Sequence, residues 1–172
     1  MANRQTRRWT YSLWSLLILV LVVAVPLGVY VNRLHRQRIR QMLAQPIIDA
    51  ADRGDSDAVQ SLLDRGADVN SIVNGRFPWT PLMHAAFRGH ESTVRLLLDR
   101  GGKIDHECLD GFTALTLSAS EEHWEIVKQL ADQGGDVTHR DATGESALSL
   151  AERAEQTVLL EHLRKQRIPM GR

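Results

Sequence analysis

Seven histidines and one cysteine are the side chains with the most chemistry to offer in these 172 residues. His35, His84, His90, His106, His123, His139 and His162 are scattered singly. None stands in an HExxH or paired His/Cys spacing that closes around zinc. His106-Glu107-Cys108 comes nearest, yet three neighbours on one short loop do not surround an ion. Cys108 needs a positioned base to act as a nucleophile. The sequence places none, so Cys108 reads as packing, and a single cysteine excludes an internal disulfide. Gly101-Gly102 and Gly134-Gly135 suit helix ends rather than a phosphate cradle. The expectation is no catalytic residue, no metal, no cofactor and no small-molecule substrate.

Charge narrows the partners. The formal net charge is zero, with 21 basic and 21 acidic residues, but every acidic residue lies after position 45. Seven arginines precede that point, leaving 14 basic against 21 acidic residues in the remainder, an excess of seven negative charges. Binding to phosphate backbones rests on lysine and arginine. Nucleic acid is therefore not an expected partner.

The elements that would position a binding surface are repetitive. Thr80 to Gly102 reads as a helix, a tight turn and a helix. Thr80 suits an N-cap and Pro81 a first helical position. Leu82, Ala85 and Ala86 share one face, Gly89 permits a left-handed turn, and Val94, Leu97 and Leu98 stripe a second helix. Thr113-Ala114-Leu115 follows Thr80-Pro81-Leu82 by 33 residues, and Ser146-Ala147-Leu148 follows by another 33. Gln45-Pro46-Ile47 precedes by 35. Such units cannot enclose a core alone and must stack.

This period, with TPLMHAAFRGH and LLDRGADVN, resembles the ankyrin-repeat family from about Gln45 to the end. The resemblance implies an all-α solenoid of about four helix-turn-helix repeats with short hairpin fingers. The repeats fall at about 45–79, 80–112, 113–145 and 146–168, within a domain of 46–172. It also implies a module that holds a protein partner on the concave surface of fingers and first helices. On that surface the expected contacts are Phe77, Trp79, Met83, His84, Arg88, His106, Phe112, Thr116, His139 and Glu145. Trp79 and Phe112 occupy equivalent slots, and Glu145 takes the slot in the next repeat. Two departures stand out. Gly89 is replaced by Glu122 and Glu155, so those turns must bend without glycine or lengthen a helix. The family's histidine after T-P-L is replaced by Met83, Thr116, Ser149 and Ile48, which predicts a weaker tie between neighbouring turns.

Ahead of the repeats lies an apolar run. After a basic tail over 1–12, residues 13–31 carry no charge, and 13 of the 19 are Leu, Ile or Val. As a helix the run spans about 28 Å, close to a bilayer's hydrocarbon core. Trp14 and Tyr30 sit where interfacial aromatics belong, flanked by Arg7, Arg8, Arg33 and Arg36. No small-x-small site follows, so an uncleaved single-pass transmembrane helix is expected rather than a signal peptide. Residues 32–45 form a basic juxtamembrane segment, with Met42 to Pro46 as the joint to the domain. Arginines flank both ends of the run. The expected orientation places the repeats outside, in the periplasm if the source is bacterial, with the cytoplasmic side as the alternative. Two alternative functions stay open: a protector or assembly factor for an exported enzyme, of the oxidative-stress type, and a membrane-surface element using the basic segment.

Overall fold

The structure, a computed structural model, describes residues 18, 22, 24–73 and 78–166. The chain divides between Ile39 and Arg40 into two compact units. In the first, the described residues are helical from Val25, and Leu27, Val29, Tyr30, Val31 and Leu34 are exposed. Nine of the 19 residues of 13–31, Trp14 among them, lie outside the described residues, as do Arg7 and Arg8. Among the described residues no helix is long and apolar enough to cross a membrane. Arg33 and Arg36 are exposed on the helix.

Among the described residues the secondary structure is helical throughout, without strands. The helices are α1 (Val25–Arg53), α2 (Ser56–Asp64), α3 (Pro81–Phe87), α4 (Glu91–Asp99), α5 (Ala114–Ser120), α6 (Trp124–Asp132), α7 (Ala147–Arg153) and α8 (Thr157–Gln166). The expected joint over Met42 to Pro46 is itself helical, because α1 runs through Pro46. Proline has no N–H for the Met42 carbonyl one turn back, a loss that normally breaks a helix. Here burial of Leu43 on one side and of Ile47, Ile48, Ala50 and Ala51 on the other outweighs it. The core thus starts ahead of Pro46.

Four helix pairs follow, the first formed by the end of α1 and α2. The first helices α3, α5 and α7 pack in one layer, and the second helices α2, α4, α6 and α8 in another. The 33-residue period is visible in the capping chemistry. Thr80 accepts from the Met83 amide at 3.3 Å, Thr113 from Thr116 at 3.3 Å and Ser146 from Ser149 at 3.1 Å. Each satisfies an orphan helix-end donor, a contribution of about 1 kcal/mol. Leu82, Val94, Leu97, Leu115, Ile126, Val127, Leu130 and Leu163 are buried between the layers, each contributing about 1.5–3 kcal/mol by burial.

The turns between paired helices are alike whether or not glycine is present. Gly54, Gly89, Glu122 and Glu155 all have positive φ, at 73°, 80°, 60° and 55°. Each amide donates to the carbonyl three residues back, over 3.2–3.3 Å. The glutamates therefore bend as the glycines do and lengthen no helix. A side chain in this conformation costs about 1–2 kcal/mol. The second and third fingers, Asp105–Phe112 and Thr138–Glu145, close by hydrogen bonds rather than a strand ladder. Cys108 N donates to Phe112 O at 3.0 Å, and Asp141 N to Glu145 O at 2.9 Å.

Candidate functional site

Trp79 enters α3 and lies along it. Its ring meets His84 edge-on at 5.3 Å and tilts against Phe87 at 5.2 Å between centroids. Arg88, the residue that caps α3, sets its guanidinium 5.8 Å from the Phe87 ring centre. Its Nε donates to Asp52 Oδ1 at 2.9 Å, and His84 Nδ1 donates to the same oxygen at 3.2 Å. Burial pushes the Asp52 carboxyl upward, but the bonds from Arg88 and His84 outweigh it and hold the group below the ordinary aspartate value. The same carboxylate raises Arg88. Trp79, His84 and Phe87 are half-buried and Arg88 is exposed. The cluster is fixed on one side and open on the other.

The corresponding positions change character along the stack. Trp79 is followed at intervals of 33 by Phe112 and Glu145, and Phe87 by Ser120 and Arg153. The aromatic pair at α3 becomes an ion pair at α7, where Arg153 Nη1 donates to Glu145 Oε1 at 2.7 Å. Ser149 adds a bond to Glu145 Oε2 at 2.9 Å. One edge therefore runs from aromatic to ionic.

Of the ten expected contacts, the structure brings Trp79, His84 and Arg88 together. Phe77 lies outside the described residues. Met83 and Thr116 are corrected from surface to core: they are 0% and 1% exposed. Both occupy the third position after the cap, where the side chain turns inward, and Thr116 spends its hydroxyl on the Thr113 amide and carbonyl. Phe112 and His106 are half-buried on the second finger. His139 is bound within the stack, its Nε2 donating to Gly111 O at 2.9 Å. The sequence reading missed Asp52, Phe87 and Arg153. Phe87 and Arg153 could have been found by stepping 33 residues between equivalent positions, as was done for Trp79. Asp52 is the equivalent of Phe87 one step of 35 back, but the register does not show that its carboxylate crosses to His84 and Arg88 of the next repeat.

The tie between neighbouring turns is made by other histidines than the one expected. His90 Nε2 bonds Asp52 O at 2.9 Å and His123 Nε2 bonds Phe87 O at 3.1 Å. A carbonyl only accepts, so Nε2 carries the proton in both. Among the described residues no group of three His, Cys, Asp or Glu side chains is placed to hold a metal ion, and Cys108 is buried in its finger.

The family model for ankyrin repeats, in three copies, matches residues 47–141. The chain belongs to the ankyrin-repeat family. Comparison with curated proteins gives no significant match. Ankyrin repeats generally mediate protein–protein interaction and are typically not catalytic.

Proposed function

We propose that this chain is a membrane-tethered interaction module that holds a protein partner on the edge formed by the first helices and finger bases. The observation that carries this reading is the Trp79–His84–Phe87–Arg88 cluster. Tryptophan and arginine are the residue types that dominate interface energetics. Asp52 and the ring contacts hold these side chains in place before a partner arrives, which spares about 0.5–1.5 kcal/mol of ordering cost per side chain. The apolar run over 13–31 is the proposed tether, with the repeats facing outward and the complex concentrated at the bilayer. Replacing Trp79→Ala together with Phe112→Ala should leave the helical content unchanged and weaken partner capture; undiminished capture would remove this edge from the account. A compartment-sensitive reporter fused at Arg172 tests the orientation, and activity on the inner side would reverse it.

A further inference from the structure

The edge carries a ring on α3 that α5 lacks. Phe87 ends α3 and lies against Trp79, and its equivalent 33 residues on is Ser120, the last residue of α5. Beside Ser120 an open cavity of about 150 Å³ lies between the C-terminal ends of α5 and α7. Serine in the place of phenylalanine leaves that space unfilled.

The lining combines three kinds of surface. Ala119, Leu150 and Ala154 are apolar. Trp124, the first residue of α6, brings an aromatic ring that is half-buried and so partly open to an incoming group. Two charged side chains, Glu122 and Arg153, share the lining. The charge of Arg153 is already met, because its Nη1 donates to Glu145 Oε1 at 2.7 Å. Glu122 is exposed, and among the described residues it forms no ion pair. Its backbone is fixed in the turn, with φ at 60° and its amide donating to Ala119 O at 3.2 Å.

An aromatic face and an unpaired carboxylate both attract positive charge. Apolar surface beside them accepts a methylene stem. A lysine side chain matches all three. The size agrees as well: at about 30 Å³ for each water-sized group, a cavity of about 150 Å³ holds about five non-hydrogen atoms, as many as a lysine side chain has. A carboxylate ligand would be repelled by the ring face and by Glu122. Trp124 also lines a second cavity, of about 210 Å³, but Lys128 shares that lining and opposes a cation there.

We infer that the cavity between α5 and α7 is a subsite for a lysine side chain of the protein partner. The inference deepens the proposed reading of partner capture and rests on it for the source of the lysine. Ser120 and Arg153 hold on α5 and α7 the place that Phe87 holds on α3, so the subsite continues the edge that begins at Trp79. A partner laid along this edge meets an aromatic cluster at one end and a cation subsite further on.

The test is a titration of the full chain, labelled with fluorotryptophan and held in zwitterionic detergent micelles, followed by fluorine NMR. Trp124→Phe assigns the Trp124 signal. The probe is acetyl-Gly-Lys-Gly-amide, taken to about 50 mM so that affinities into the millimolar range are read. The Trp124 signal should shift and saturate. A peptide with norleucine in place of lysine keeps the stem without the charge and should bind at least about fivefold more weakly. Glu122→Gln should weaken the lysine peptide about two- to fivefold. Ser120→Phe, which fills the cavity with the residue found on α3, should abolish the saturable shift, with circular dichroism showing that each variant keeps its helical content. No saturable shift at Trp124 would overturn the inference. So would an equal response to the norleucine peptide or to one carrying glutamate, or an unchanged affinity in Glu122→Gln. The titration reads Trp124 with no partner present, so the subsite can fail while the Trp79 edge stands, and the edge can fail in partner capture while the subsite stands.

Discussion

Replacing Gly89 by alanine tests the physical link between the turn and the histidine above it. At φ 80° the added Cβ costs about 1–2 kcal/mol in the left-handed conformation. That Cβ would also stand 2.7 Å from His123 Cε1 and 2.9 Å from Nε2, closer than atoms tolerate, so the ring must leave. Its bond to the Phe87 carbonyl goes with it, a further loss of about 0.5–1.5 kcal/mol. The total is about 1.5–3.5 kcal/mol. In a His123→Ala background the clash and the bond are already gone, and the same substitution should cost only the backbone share of about 1–2 kcal/mol. A double-mutant cycle by equilibrium urea unfolding of the full chain, read by circular dichroism, should therefore return a coupling of about 1 kcal/mol. Equal costs in the two backgrounds, within about 0.3–0.5 kcal/mol, would refute the argument.

Two further outcomes follow from the fold. Asp52, Asp64 and Asp136 all have carboxyls held below the ordinary 3.8: Asp52 by Arg88 and His84 against the opposing effect of burial, Asp64 by Gln60 and then Arg100, and Asp136 by the Thr138 hydroxyl and amide. The folded chain thus binds fewer protons than the unfolded one. Their stabilisation is complete above the ordinary aspartate pKa and is lost as pH falls through the depressed folded values; acid titration of Asp52→Asn should show a shallower loss below about pH 4. Met83→Ala should behave as a core truncation and cost about 2–5 kcal/mol in urea unfolding, whereas a surface contact would cost almost nothing.

The sequence exposes the helix pairs because their determinants are local and periodic. Thr80, Thr113 and Ser146 each cap the helix that starts beside them, and Leu82, Ala85 and Ala86 repeat a face that needs no distant information. Pro46 misleads for the opposite reason. Its local preference is to end a helix, and packing of Leu43 and Ile47 from either side overrides it. The ties between repeats lie at an intermediate level. Gly54 under His90 and Gly89 under His123 form a pattern that the chain carries openly, but each of these histidines bonds a backbone carbonyl more than thirty residues away. The candidate site is divided in the same way. Trp79, His84 and Arg88 could be named from the repeat register. Met83 and Thr116 could not be separated from them, because one residue's difference on a seven-residue helix decides between core and surface. Asp52, which fixes the cluster, belongs to the preceding repeat and is visible only once the pairs are stacked.

The central claim, that the first-helix edge holds a protein partner, is tested most directly by site-specific photo-crosslinking in cells. A photoreactive residue in place of Arg88 should yield a discrete adduct with a second protein. The same residue in place of Arg95, exposed on α4 in the other layer, should yield none. Adducts from position 95 and none from position 88 would contradict the account.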